Sequence, residues 1–181
     1  MTQKEKMLAG ELYIADDPEL TADYQRAQEL LMQLNSAITH TERCLLAKKL
    51  FGSTGENLIV QVGFHCDYGT NIHVGENFYA NFNCTILDGN TVTIGDNCLL
   101  GPNVSIYTAG HSTDAKLRAA GLEFAKAVKI GNNCWLGGGV IVNPGVTIGN
   151  NVVVASGSVV VKDVPDNVLV GGNPSRIIKI I

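Results

Sequence analysis

The sequence predicts a mainly β fold, a parallel β-helix, and three observations carry that expectation. Counting by six from Val62 to Val160, with one two-residue slip and one long gap, twelve of fourteen positions are large aliphatics. Glycine directly follows eight of them, Gly63, Gly69, Gly75, Gly95, Gly101, Gly131, Gly137 and Gly149. A second apolar set lies four residues after the first and includes Ile72, Phe78, Val104, Val140, Val146 and Val152. A period of six reads as short strand, corner, short strand, with three hexads closing one triangular coil. The two sets point into the prism, and Gly or Asn eases the chain around each corner.

Taken in order, residues 1–55 read as a helical cap. Lys4 to Gly10 suits a short helix. Asp17-Pro18-Glu19 is a helix start, Asp17 at the N-cap and Pro18 at the first helical position. Leu20, Tyr24, Ala27, Leu31 and Leu34 then recur at spacings of three and four, and Asn35 ends the stripe. Thr41 is expected to cap a third helix that runs to Phe51 and closes at Gly52. A solenoid needs such a cap, because its last layer would otherwise face water.

Residues 56–165 carry the coils, which begin near Leu58, and 166–181 form a closing segment. Two breaks interrupt the period: the slip around Asp88-Gly89-Asn90, and the stretch 107–127, where aliphatic-Gly pairs give way to His111, Asp114, Lys116, Arg118 and Glu123. A rigid scaffold that extrudes a long loop commonly carries function there.

Composition narrows the class. The 181 residues suit one β-helix with its cap, and 20 glycines with 6% aromatics suit corners and aliphatic layers. A net charge of −4 argues against nucleic acid as the main partner, although Lys162, Arg176 and Lys179 gather late in the chain. Of five cysteines, Cys66, Cys84, Cys98 and Cys134 fall on the second inward position and read as small core residues. An odd count, no CxxC pair and no leader point to a reducing cytoplasm. No apolar run is long enough for a bilayer.

The segments Asn71-Ile72-His73-Val74-Gly75, Tyr79-Ala80-Asn81-Phe82-Asn83, Thr108-Ala109-Gly110-His111, Cys134-Trp135-Leu136-Gly137-Gly138 and Gly171-Gly172-Asn173-Pro174-Ser175-Arg176 resemble the maltose and galactoside O-acetyltransferases. The likeness spans almost the whole chain, including Gly10-Glu11-Leu12-Tyr13 and Asp17-Pro18-Glu19-Leu20.

That resemblance implies left-handed coils, acetyl transfer from acetyl-CoA to a sugar hydroxyl, no metal, and an active site between subunits of a homotrimer. A hydroxyl needs a general base, and His111 matches the family's catalytic histidine. No Ser-His or Cys-His pair is suggested, so transfer is expected to be direct. An oxyanion needs N–H donors, and the resemblance points to Gly138; Trp135 is expected either to wall the cleft or to pack at a subunit contact. Asn81 matches an acceptor-side asparagine, and Tyr79 and Asp88 are expected in the same cleft. Lys162, Arg176 and Lys179 are expected to meet the CoA phosphates. Val161 stands where the family often has Thr. Ala15 and Tyr24 stand where galactoside enzymes hold the sugar with an acid and an arginine, which favours a maltose- or glucose-type acceptor. Two other classes remain open: a non-catalytic scaffold, and a metal-dependent hydratase that would need His65, His73 and His111 to converge.

Overall fold

The structure, a computed structural model, describes residues 1–181. Three parallel sheets form the walls of a triangular prism. Face A stacks Leu58–Val60, Phe78–Ala80, Leu99–Leu100, Trp135–Leu136, Val153–Val154 and Val168–Gly171, with Arg176–Ile180 added antiparallel at the end. Face B stacks His65–Cys66, Thr85–Leu87, Ser105–Tyr107, Ile141–Val142 and Val159–Val160. Face C stacks Ile72–Val74, Val92–Ile94, Val128–Ile130 and Thr147–Ile148.

In the three-residue strands of faces A and C two buried apolar residues flank one outward residue, since side chains alternate along a strand. Face A therefore stacks Val60, Ala80, Leu100, Leu136, Val154 and Val170, and face C stacks Val74, Ile94, Ile130 and Ile148. These residues are buried, and each Val or Ile layer adds about 1.5–3 kcal/mol before entropy.

The register corrects the first coil. Cys66 lies under Ile86, so it belongs to the first inward set and not the second. Val62 is half-buried at a corner. Tyr68 leaves the ladder for a small cluster with Met7, Tyr13, Leu20 and Ala125. The cause is a second two-residue extension, between Cys66 and Val74, which a count by six cannot see. All four core cysteines are nonetheless buried.

Gly63 and Gly69 take left-handed backbone, but Gly75, Gly95, Gly131 and Gly149 work differently from a corner hinge. A Cβ on Gly131 would lie 2.7 Å from the carbonyl carbon of Gly149, so glycine is needed for the close approach of the next coil. The left-handed turn falls two residues later, on Asn77, Asn97, Asn133 and Asn151. Their amides stack along the C-to-A edge, Asn77 Nδ2 donating to Asn97 Oδ1 at 2.8 Å and Asn97 Nδ2 to Asn133 Oδ1 at 3.1 Å.

The cap contains α1 (Gln3–Ala9), α2 (Pro18–Ser36) and α3 (His40–Leu50). Thr39, not Thr41, caps α3 in a reciprocal pair with Glu42, and Phe51 ends it in extended backbone without a left-handed Gly52. Ala27, Leu31, Leu34, Ala47 and Leu50 cover the first coil, but Tyr24 faces outward. Asn35 does more than end a stripe. Its Oδ1 accepts the N–H groups of Gly63 and Phe64 and its Nδ2 donates to Phe64 O, so α2 pairs the open edge of the first coil. No helix is long and apolar enough to cross a membrane.

Candidate functional site

The edge between faces B and C carries every interruption of the repeat. Val142 and Ile148 are separated by one hexad, whereas Cys66 to Val74 and Ile86 to Ile94 each hold two extra residues, and Ile106 to Ile130 holds the whole extruded loop. The three excursions lie in successive coils, so they stack into one feature that protrudes from one edge.

The loop is ordered by a partner outside the coils. Ala109–His111 and Leu122–Ala125 form an antiparallel hairpin around α4 (Ala115–Ala119), and Tyr13–Ile14 adds a third strand. Asn90 ties this assembly together from the slip. Its Nδ2 donates to Met7 O, Leu8 O and Ala125 O, and its N–H donates to Thr108 Oγ1.

A cleft of about 310 Å³ lies between that small sheet and the stacked corners, lined by Tyr13, Tyr24, Asp67, Tyr68, Ala109 and Glu123 among others. The register places His111 opposite Glu123, and Glu123 opposite Tyr13. Opposed residues share a face of the sheet, so His111 stands on the cleft-facing side, exposed at the rim.

The cleft is acidic and strongly desolvated. Burial, with Asp88 and Glu123 nearby, pushes the Asp67 carboxyl up to about 7. Burial, and then the charge of Glu123, holds the Tyr13 phenol well above its ordinary value, and burial with Asp67 does the same for Tyr68. Tyr13 Oη donates to Glu123 Oε2 at 3.0 Å.

Asp88 is not a wall of this cleft. It is fully buried, and its carboxylate accepts the N–H groups of Asp67, Tyr68 and Asn71 from the coil beneath. Burial lifts it to about 6 while those donors pull the other way. Its part is to hold Asp67 and Tyr68 in place. Both of those lining residues escaped sequence reasoning, because the eight-residue step from Cys66 to Val74 shows only in the stacking register.

The remaining candidates lie elsewhere on the prism. Tyr79 and Trp135 project from face A, and Asn81 follows at the A-to-B edge, where Tyr79, Asn81, Leu99 and Trp135 share a depression of about 280 Å³. The outward ladder of face A, Ile59, Tyr79, Leu99, Trp135 and Val153, is apolar. Trp135 is 53% exposed and Leu99 48%. Gly138, also at the A-to-B edge, makes no hydrogen bond through its N–H within the chain. His111 and Asn81 therefore occupy different edges of one prism and do not meet within a single chain.

Lys162 and Arg176 share a cleft of about 280 Å³ at the C-terminal end, beside Pro165 and Ser175. Two cations in one cleft fit a phosphate-bearing ligand. Lys179 does not join them, because it lies further along the last strand, opposite Leu169. His65 projects from face B and His73 from face C, where Ser53 Oγ lies 2.9 Å from His73 Nδ1, so these two histidines do not converge with His111.

Comparison with known proteins agrees with this architecture. A maltose acetyltransferase hexapeptide capping motif matches residues 6–55, the bacterial transferase hexapeptide (six repeats) matches 127–162, and a hexapeptide repeat of succinyl-transferase matches 91–110. The galactoside O-acetyltransferase of Escherichia coli is 43% identical over 99% of this chain and 89% of its own. The crystal structure of a maltose O-acetyltransferase from Clostridium difficile superposes with a TM-score of 0.99 at 50% identity, over 100% of this chain and 98% of that one. A hexapeptide-repeat acetyltransferase from Vibrio cholerae, solved with acetyl coenzyme A, gives a TM-score of 0.93 at 42% identity over 99% and 98%. The near-complete superposition makes the coils a left-handed parallel β-helix.

Proposed function

The chain belongs to the hexapeptide-repeat acetyltransferases of the maltose and galactoside type, and on that premise we propose that it transfers acetyl from acetyl-CoA to a sugar hydroxyl, with a maltose- or glucose-type acceptor favoured. The observation that carries this is His111, held on the cleft-facing side of the sheet that the extruded loop builds with Tyr13–Ile14.

The acceptor occupies the acidic cleft beside His111. His111 takes the hydroxyl proton as oxygen attacks the thioester carbonyl, and the oxyanion is met by the free N–H of Gly138. The carbon–sulfur bond then breaks, and the leaving thiolate takes up the proton. Lys162 and Arg176 hold the phosphates, their shared cleft supplying charge where the ligand carries it.

Because His111 lies on one edge of the prism and Asn81, Gly138 and Trp135 on another, the site needs a second copy. The exposed apolar ladder of face A suits such a contact, and a closed homotrimer supplies three equivalent clefts. Asn81 and Tyr79 then hold the acceptor from the neighbouring subunit. Ala15 and Tyr24 line the cleft where galactoside enzymes carry an acid and an arginine, which supports the acceptor preference. Five unpaired thiols fit a cytoplasmic setting.

The test is a panel of glucose, maltose, galactose and galactosides with acetyl-CoA, following thiol release and ester formation. Saturable release with glucose or maltose ahead of galactosides is expected. No release with any sugar would overturn the reading.

A further inference from the structure

The small antiparallel sheet contains a line of three polar residues that the reaction above uses only at one end. Tyr13, Glu123 and His111 come from three strands, and the register sets them directly opposite one another in that order. Directly opposed Cβ atoms lie about 4.5–5.5 Å apart on the same face of a sheet, within reach of a carboxylate and an imidazole.

The bonding along this line is half complete. Tyr13 is 2% exposed, so packing fixes its ring. Burial and the neighbouring negative charges keep its phenol protonated, and it can only donate to Glu123 Oε2. Glu123 Oε1 accepts nothing within the chain, and neither ring nitrogen of His111 is bonded within the chain. Catalytic hydrogen bonds are often long in a ligand-free site and tighten when substrate arrives.

We infer that Glu123 is the positioning residue for His111: held through Oε2 by Tyr13, it accepts Nδ1–H of His111 through Oε1 and leaves Nε2 as the base. The inference rests on the reading of His111 as general base. It also gives the N-terminal segment a part in catalysis, because Tyr13 belongs to the cap and not to the coils. A carboxylate fixed at one oxygen loses less rotamer freedom when the other oxygen binds, which is the physical gain from Tyr13. The proton balance is that of the proposed reaction, the hydroxyl proton passing to Nε2 and on to the leaving thiolate.

The test has two arms on the full-length chain. Imidazole ¹⁵N shifts, assigned against His111→Ala, report which ring nitrogen carries the proton and need neither substrate. The expected result is the Nδ1–H tautomer of His111 in the wild type and in Glu123→Gln, whose amide oxygen still accepts, and its loss in Glu123→Ala. In steady state, Glu123→Ala should lower kcat about 10–100-fold, the range seen when a metal-binding imidazole loses the partner that orients it, with KM for both substrates nearly unchanged. Glu123→Gln should recover part of that loss, and Tyr13→Phe should cost less than Glu123→Ala. An unchanged tautomer in Glu123→Ala, or wild-type kcat there, overturns the inference. A wild type that shows the tautomer but turns over no sugar leaves it standing and removes only the acetyltransferase reading.

Discussion

Asp88 Oδ1 accepts the backbone N–H of Tyr68 at 2.9 Å across 20 residues of sequence, joining the extension of one coil to the extension of the next. The same oxygen takes Asp67 N–H at 3.0 Å, so one buried carboxylate positions two of the residues that line the cleft. Asp88→Ala removes a charged acceptor and leaves buried donors unpaired, at a cost of about 3 kcal/mol. Urea unfolding should show that loss, and the acceptor KM should rise more than that of acetyl-CoA. Wild-type stability in the variant would refute the anchoring role.

Asp67 and Asp88 also make stability depend on pH. Both fold with raised values, about 7 and about 6 against an ordinary 3.8, chiefly because burial disfavours their charged forms. Between the ordinary and the raised values the folded chain keeps protons that the unfolded chain has released. Their contribution therefore falls as pH rises from about 4 to about 7. The Tm should decline between pH 5 and 7, and Asp67→Asn should flatten that decline. An equal slope in both proteins would contradict the desolvation of Asp67.

The two-edge arrangement of His111 and Asn81 predicts complementation. His111→Ala should lower kcat roughly 10²–10⁴-fold with acetyl-CoA affinity nearly unchanged. Co-refolding His111→Ala chains with Asn81→Ala chains should restore activity, since a hybrid assembly rebuilds an intact cleft from two defective copies. Absence of any recovery would confine the site to one chain, and a sedimentation mass of one chain under assay conditions would exclude the shared site.

Thiol accessibility checks the core register. Cys66, Cys84, Cys98 and Cys134 are buried, and Cys44 is half-buried beside a depression of about 430 Å³ on face A. Burial lifts the Cys84 thiol to about 11, which lowers its thiolate fraction further. A thiol reagent should leave the four core thiols unlabelled in the native protein, reach Cys44 ahead of them, and label all five after unfolding. Fast native labelling of Cys84 would mean that the coil is open there.

A six-residue period is a local property, so the β-helix, its core ladders and its helical cap are legible in the sequence by itself. Each hexad repeats the same alternation of inward and outward side chains, and no distant residue is needed to read it. His111 is legible for a related reason, since a break in a strict period marks the loop that holds it. The register of the first coil is not legible, because a count by six back from Val74 lands on Tyr68 and Val62, both apolar, and meets no break. Only stacking shows that Cys66 lies under Ile86 and that Tyr68 is displaced.

The tertiary structure alone decided the site's walls. Tyr13 and Glu123 stand 110 residues apart and meet because the N-terminal strand pairs with the extruded loop, a contact that no local pattern encodes. Asp88 was legible as a residue at a slip, but its direction was not. The stacked coil offers it three backbone donors, and a buried carboxylate turns toward the donors that offset its desolvation.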